Sequence, residues 1–413
     1  MPSRPRAVRH ILTGLVTMAL LAGCGDAAGS GPAGVVGAAT DAPASAPPDP
    51  TATVAPRGGD AGLGPAPPPT APADPPTADG GAAGPPPGNP DGGADVPSHA
   101  RAVDTSRPTR TVGDGTPASC TSDAVVSAVA AGGIITFACG PRPVVIVLKQ
   151  TAKVRNAASR RVVLDGGGLV TLSGGGERRI LYMNTCDETQ GWTTSHCNDQ
   201  DHPELVVQNL TFADGDATGE RVDGGGGGAI FVRGGRFRVV DSRFVRNRCD
   251  PTGPDLGGAA IRVLDQWQDR PVYVVGSTFG GAPDDGGVCA NGGALSSIGV
   301  SWIVLNSVLT HNAAVGHGAN PAKPGTPGGG SGGAIYADGN RFTVTVAGSV
   351  VAENTAKEGG GAIFFVSNDR SGTLEVTGSV LRRNVNDGFA TAGYPGIFFL
   401  GAGEPVVVSS TLR

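Results

Sequence analysis

The tripeptide Gly-Gly-Ala followed by an aliphatic residue returns five times in the second half of the chain, and this recurrence limits the possible folds more than any other feature. It stands at Gly227-Gly228-Ala229-Ile230, at Gly257-Gly258-Ala259-Ala260-Ile261 with one extra Ala, at Gly292-Gly293-Ala294-Leu295, at Gly332-Gly333-Ala334-Ile335 and at Gly360-Gly361-Ala362-Ile363, with a degraded copy near Gly396-Ile397. A second half-unit falls between the copies, an apolar residue with Asn three positions later. Phe244 pairs with Asn247, Leu309 with Asn312, Val351 with Asn354 and Leu381 with Asn384, while Phe212 and Phe279 hold the apolar position without the Asn. A period of roughly 28 to 42 residues marks units that cannot bury an apolar face alone and must stack.

The units are short runs of Val, Ile, Phe and Thr separated by Gly, Asn and Asp, with no helical periodicity after about residue 131. The expected fold class is therefore all-β, built of stacked parallel coils. Two apolar ladders follow from alignment of the units: Val207, Val239, Val274, Val304, Val346, Val376 and Val407, and Ile230, Ile261, Leu295, Ile335, Ile363 and Ile397. The recurrent Asn is expected at the turn because it tolerates left-handed backbone, and its stacked side chains are expected to hydrogen-bond along the ladder. Thr121-Ser122-Asp123 suits the N-cap of a short amphipathic helix over 124–131 that covers the open first coil.

The paired GGA-aliphatic and FxxN motifs resemble the repeats of polymorphic outer membrane proteins, and the chain from about 134 to 413 is similar to the pectate-lyase-like superfamily. That resemblance implies a single-stranded, right-handed parallel β-helix. It implies much less about activity, because the same fold carries lyases, hydrolases, adhesins and stalks.

The N-terminus sets the compartment. Arg4, Arg6 and Arg9 precede an apolar run from Ile11 to Leu21, too short for a membrane span, so 1–23 is expected to be a secretory signal. Leu21-Ala22-Gly23-Cys24 resembles the lipobox of bacterial lipoproteins, which implies lipidation of Cys24 and an exported protein held at the cell envelope by lipid alone. Residues 24–117 hold most of the chain's 34 prolines and none of its aromatic residues, and are expected to form a disordered spacer. The folded domain is then 118–413. Six cysteines remain there: Cys120, Cys139, Cys186, Cys197, Cys249 and Cys289, an even set that suggests three disulfides in an oxidising compartment. Fifteen pairings are possible, and neighbour pairing closes only short loops.

With a net charge of -5 and pI of about 5.7 the chain has no basic surplus for a nucleic-acid backbone. Candidate chemistry is scattered. Asp284-Asp285 followed by Gly316-His317-Gly318 resembles the paired-Asp and GHG motifs of polygalacturonases, in which two carboxylates protonate the leaving oxygen and activate water, but the flanking Asn-Thr-Asp and Arg-Ile-Lys tripeptides are missing. Asp214, Asp216 and Asp223 cluster near Arg221 as candidate ligands for Ca²⁺ beside a cationic base. Between Cys186 and His202 lies the densest set of potential metal-ligating side chains, for which a disulfide-closed surface loop is the preferred reading over a metal site.

The residues following the Ile ladder, Phe231, Arg262, Ser296, Tyr336, Phe364 and Phe398, are expected to point away from the core, since Arg262 can hardly face inward. Phe231 and the row Tyr336, Phe364, Phe398 could stack sugars or bind a partner, or form an apolar strip covered by a loop such as 319–331. A second column, Asp214, Arg246, Gly281, His311, Glu353 and Arg383, suits a solvated charge ladder.

These features favour an exported binding, adhesion or structural module that meets polysaccharide or another cell surface without turnover. A pectate-lyase-like lyase or polygalacturonase-like hydrolase is the alternative, and requires two convergent acids, or an acid and a base, in a groove on one strand face. A third reading is a self-associating stalk, with homo-oligomers formed through the C-terminal coil.

Overall fold

The computed structural model describes residues 86–156 and 160–413. The signal-like segment, Cys24 and most of the Pro-rich stretch lie outside the described residues.

Each repeat forms one coil, four of the coils visit three sheets, and the strands of successive coils pair in parallel. The coil that starts at Leu295–Ile298 continues through Trp302–Leu305, Val308–Thr310 and Ala313–Ala314 before the next begins at Ile335–Gly339. Strands that follow the GGA motif stack into an eight-stranded sheet. The next two strands of each coil join a 17-stranded sheet bent at a tight turn, and the shortest strands make a four-stranded sheet. The result is a parallel β-solenoid.

Both apolar ladders pair in register as the repeat alignment requires, the Val ladder from Val207 to Val407 and the Ile ladder from Ile230 to Ile397. The apolar position of the second half-unit forms a third: Phe212, Phe244, Phe279, Leu309, Val351 and Leu381. Its rings stack at 5.0 and 4.6 Å between centroids. All three ladders are buried apart from Val407. Full burial of such side chains is worth about 1.5–3 kcal/mol each.

Two polar ladders turn the corners. At one, the left-handed residue is Asn209, Asp241, Gly276, Asn306, Gly348, Gly378 or Ser409, types that accept a positive φ. A serine follows it from the second of these coils onward, and each serine hydroxyl accepts the backbone N–H of the serine in the preceding coil, from Ser242 to Ser410, at 3.0–3.1 Å. At the other corner the expectation about the Asn backbone is corrected. The left-handed residue is the one before it, Arg246, His311, Glu353 or Arg383, with Asp214 and Gly281 at the same place in the two coils that lack the Asn. The Asn side chains do hydrogen-bond along the ladder as expected: the Asn312 amide donates to Asn354 Oδ1 at 2.9 Å, and Asn354 to Asn384 Oδ1 at 2.9 Å.

The helix Ser122–Ala131 forms with Thr121 as its N-cap, whose hydroxyl accepts from Ala124 N–H, and sets Val125 and Val129 into the core. The disulfides join sequence neighbours, Cys120 with Cys139, Cys186 with Cys197 and Cys249 with Cys289. Such bridges belong to an oxidising environment. Among the described residues no helix is long and apolar enough to cross a membrane.

The expected boundary at 118 needs correction. Residues 86–117 lie along the solenoid as a strap, and Arg110–Val112 is a strand paired with Gly133–Phe137. The strap sets Ala94, Val96 and Ala100 against Val240, Val275 and Leu305 of the solenoid, and polar bonds add to this small apolar seam. Asn89 bonds to Asn306 and Gly348, Val103 exchanges two bonds with Gln208, and Thr105 donates to Asp165 at 2.7 Å.

Candidate functional site

A groove of about 480 Å³ runs over the outer face of the eight-stranded sheet. Strand alternation puts residues i and i+2 on one face, and two columns result. The first is Tyr182, Phe231, Arg262, Ser296, Tyr336, Phe364 and Phe398; the second, two residues on, is Asn184, Arg233, Leu264, Ile298, Asp338, Val366 and Leu400. Leu264 and Ile298, both half-buried, form an apolar floor between polar ends.

At one end Arg233 is paired with Asp223, lies 3.5 Å from Asp265 and donates to Asn198 Oδ1 at 2.9 Å. Burial raises the Asp265 carboxyl above its usual range, and Asp223 and Asp269 push the same way against Arg233. At the other end the Asn320 amide nitrogen lies 2.6 Å from Asp255 Oδ1, 2.6 Å from Tyr336 Oη and 3.0 Å from Asp338 Oδ2. Asp338 also accepts from Tyr336 Oη at 3.1 Å and from Asn368 at 3.2 Å. Burial nonetheless raises the Asp338 carboxyl, helped by the charge of Asp255.

Arg262 lies beside this end. It is 2 % exposed, donates to Ser296 Oγ at 2.6 Å and to the Asp255 carbonyl at 2.5 Å, and its Nε has no partner. Burial pulls it down to about 10, against the charges of Tyr336, Asp255 and Asp338. A buried guanidinium held by neutral acceptors is costly unless a site requires it.

The sequence-derived candidates fare unevenly. The aromatic row is present, with Tyr336 and Phe364 at 5.0 Å and Phe364 and Phe398 at 5.2 Å, and it points away from the core as Arg262 implied. As an exposed binding face it is corrected: Phe231, Tyr336 and Phe364 are buried, and Phe398 is half-buried. Asn320 of the 319–331 loop lies on the Tyr336 hydroxyl, Phe389 packs edge-on against Phe364 and Phe398, and the Arg179 guanidinium covers Phe231 at 5.1 Å.

Asp284, Asp285 and His317 do not assemble. Asp285 is paired with Arg246 at 2.9 Å, whereas His317 lies 3.6 Å from Glu358. The calcium candidates are each engaged by an arginine, Asp214 by Arg246, Asp216 by Arg248 and Asp223 by Arg233. Among the described residues no group of three or more His, Cys, Asp and Glu side chains could hold a metal ion. In the Cys186–Cys197 region His202 pairs with Asp201 and stacks on Trp192 at 5.2 Å.

The groove residues missed from sequence are Arg233, Asp255, Leu264, Asp265, Ile298, Asn320, Asp338 and Asn368. Asp338 was legible, two residues after Tyr336 and so on the same face. Asp255 and Asn320 reach the site from excursions between strands, which no periodicity marks. Neither a family model, a curated protein nor a solved structure matches the chain.

Proposed function

We propose that the chain is an exported, lipid-anchored module that holds a polysaccharide or another cell-surface ligand in the groove over the eight-stranded sheet. The observation that carries this reading is the groove itself, with its apolar floor of Leu264 and Ile298 between two sets of fixed polar groups. Apolar contact below and oriented hydrogen-bonding groups at the ends suit a polyhydroxylated ring. Arg233 and Asp338 stand three strands apart, about 14 Å at about 4.8 Å per strand, room for a short oligosaccharide.

A right-handed β-helix of the pectate-lyase-like kind is the finer reading of the solenoid. It is supported by the GGA and FxxN repeats and by the strong preference of parallel crossovers for the right hand. The helix Ser122–Ala131 then serves as the cap of the first coil. Lipid anchoring rests on the Leu21-Ala22-Gly23-Cys24 motif, and the disulfides agree with export.

One observation favours a second reading, a polysaccharide hydrolase. Asp255 and Asp338 meet on one Asn320 nitrogen, which brings two carboxylates close to the separation of about 5–5.5 Å used by retaining glycosidases, and burial raises the Asp338 carboxyl.

The test is incubation of the full chain with acidic and neutral polysaccharides, with and without calcium, following retained polymer, reducing ends and unsaturated products. Retention without products supports the binding module. Reducing ends abolished in both Asp255→Asn and Asp338→Asn support the hydrolase. Failure to retain or cleave any polysaccharide contradicts both.

A further inference from the structure

A separate cavity of about 470 Å³ lies between the strap and the bent 17-stranded sheet. Arg161, Glu204 and Arg236 are direct neighbours across three parallel strands there. Arg238 lies on the same face, Arg101 comes from the strap, and Arg270 completes the lining. Glu204, with a side chain 6 % exposed, is the only carboxylate among the described residues of the lining and takes Arg161 and Arg238 at 2.9 Å and Arg236 at 3.7 Å.

Five guanidiniums, those of Arg101, Arg161, Arg236, Arg238 and Arg270, therefore share one carboxylate among the described residues of the lining. Arg101 and Arg236 donate to the carbonyls of Val96 and Asp201, and the Asp201 carboxylate is already held by Arg160 and His202. Arg236 and Arg270 both lie against the Trp267 ring, at 5.6 and 4.7 Å. Arg238 Nε is buried without a partner. Burial, with Arg161 and Arg236 nearby, pulls the Arg238 guanidinium below its ordinary range although Glu204 opposes this. Such crowding of like charges in a chain of net charge -5 is unfavourable unless an anion offsets it.

We infer that this cavity binds a ligand carrying at least two carboxylate, sulfate or phosphate groups. Guanidinium forks match the geometry of all three oxyanions, and several held by one sheet fix both groups of a multiply charged ligand at once. The strap is part of the site: it brings Arg101, and His99 closes the rim through a 2.9 Å bond to Tyr273 Oη.

The inference does not rest on the glycan reading of the groove, and its test keeps the two apart. The full chain is titrated calorimetrically with trigalacturonate, a disulfated disaccharide, tripolyphosphate and neutral maltotriose. At least one anionic probe binds, more weakly as salt rises, and the best of them identifies the oxyanion; maltotriose does not bind. Arg101 and Arg270 are exposed, so R101E/R270E keeps its melting temperature and loses at least tenfold in affinity, whereas Lys357→Ala, an exposed position outside both the cavity and the groove, leaves binding unchanged. No binding of any anionic probe, retained affinity in R101E/R270E, or equal loss in Lys357→Ala overturns the inference.

Discussion

The side-chain amide of Asn306 bonds twice to the backbone of Ala94, accepting from its N–H at 2.9 Å and donating to its carbonyl at 2.9 Å across 212 positions of sequence. Asn306 is also a left-handed corner residue, so Asn306→Gly keeps the turn and removes only the amide. Loss of two such bonds to partly exposed backbone costs about 1–2 kcal/mol. The expected result is faster hydrogen exchange across the strap with little change in the coils. Unchanged exchange there would mean that the strap is held by other contacts.

Asn354 sits at the middle of the buried Asn ladder. Its Oδ1 accepts from Asn312 side chain and backbone, and its amide donates to Asn384 and to the Leu309 carbonyl. Asn354→Ala leaves several of these groups unsatisfied, each costing about 1–3 kcal/mol, so a loss of at least about 3 kcal/mol is expected from urea unfolding. An exposed change, Lys357→Ala, serves as the control and is expected to stay within about 0.5 kcal/mol.

Glu358 fastens the loop that carries Asn320. Burial would raise its carboxyl, but bonds from Lys323 and the Gly318 amide, and the charges of Lys323 and His317, hold it below its ordinary 4.5. A lowered acid contributes stability above its unfolded value, and that contribution is lost as pH falls through the folded value. Melting temperatures of wild type and Glu358→Gln should therefore differ most near neutral pH and converge below 4.5. A difference that widens on acidification would contradict the assignment.

Phe364 has Tyr336 on one side and Phe398 on the other, with Phe389 at its edge. Phe364→Ala should cost about 3–5 kcal/mol as a cavity mutation. At temperatures where the variant remains folded, ligand retention is expected to match wild type, because the ring is covered. Selective loss of retention with unchanged stability would restore the aromatic row as a binding face.

The three apolar ladders were legible because burial forces one residue type at one repeat position, and Val, Ile and Phe recur there strictly enough to set the register. The serine ladder escaped notice because serine is common in any turn. Asn does stand at a corner, as its recurrence implied, but it does not make the turn there. Left-handed backbone suits Asn best, yet Arg246, His311 and Glu353 bear the positive φ. The strap was invisible because a few small apolar residues, Ala94, Val96 and Ala100, and isolated polar side chains such as Asn89 and Thr105 anchor it within Pro-rich sequence. The groove was half legible. Parity put Arg262 and Tyr336 on the right face, but Asp255 and Asn320 arrive through loops whose paths no local pattern encodes.

The most direct test of the central claim is hydrogen exchange of the full chain with and without the polysaccharide that it retains best. Protection confined to the strands and loops around Arg233, Asp255, Asn320 and Asp338, and lost in an Asp338→Asn variant that no longer retains the polymer, is the predicted result. Protection elsewhere, with no change around these residues, would contradict the assignment of the groove.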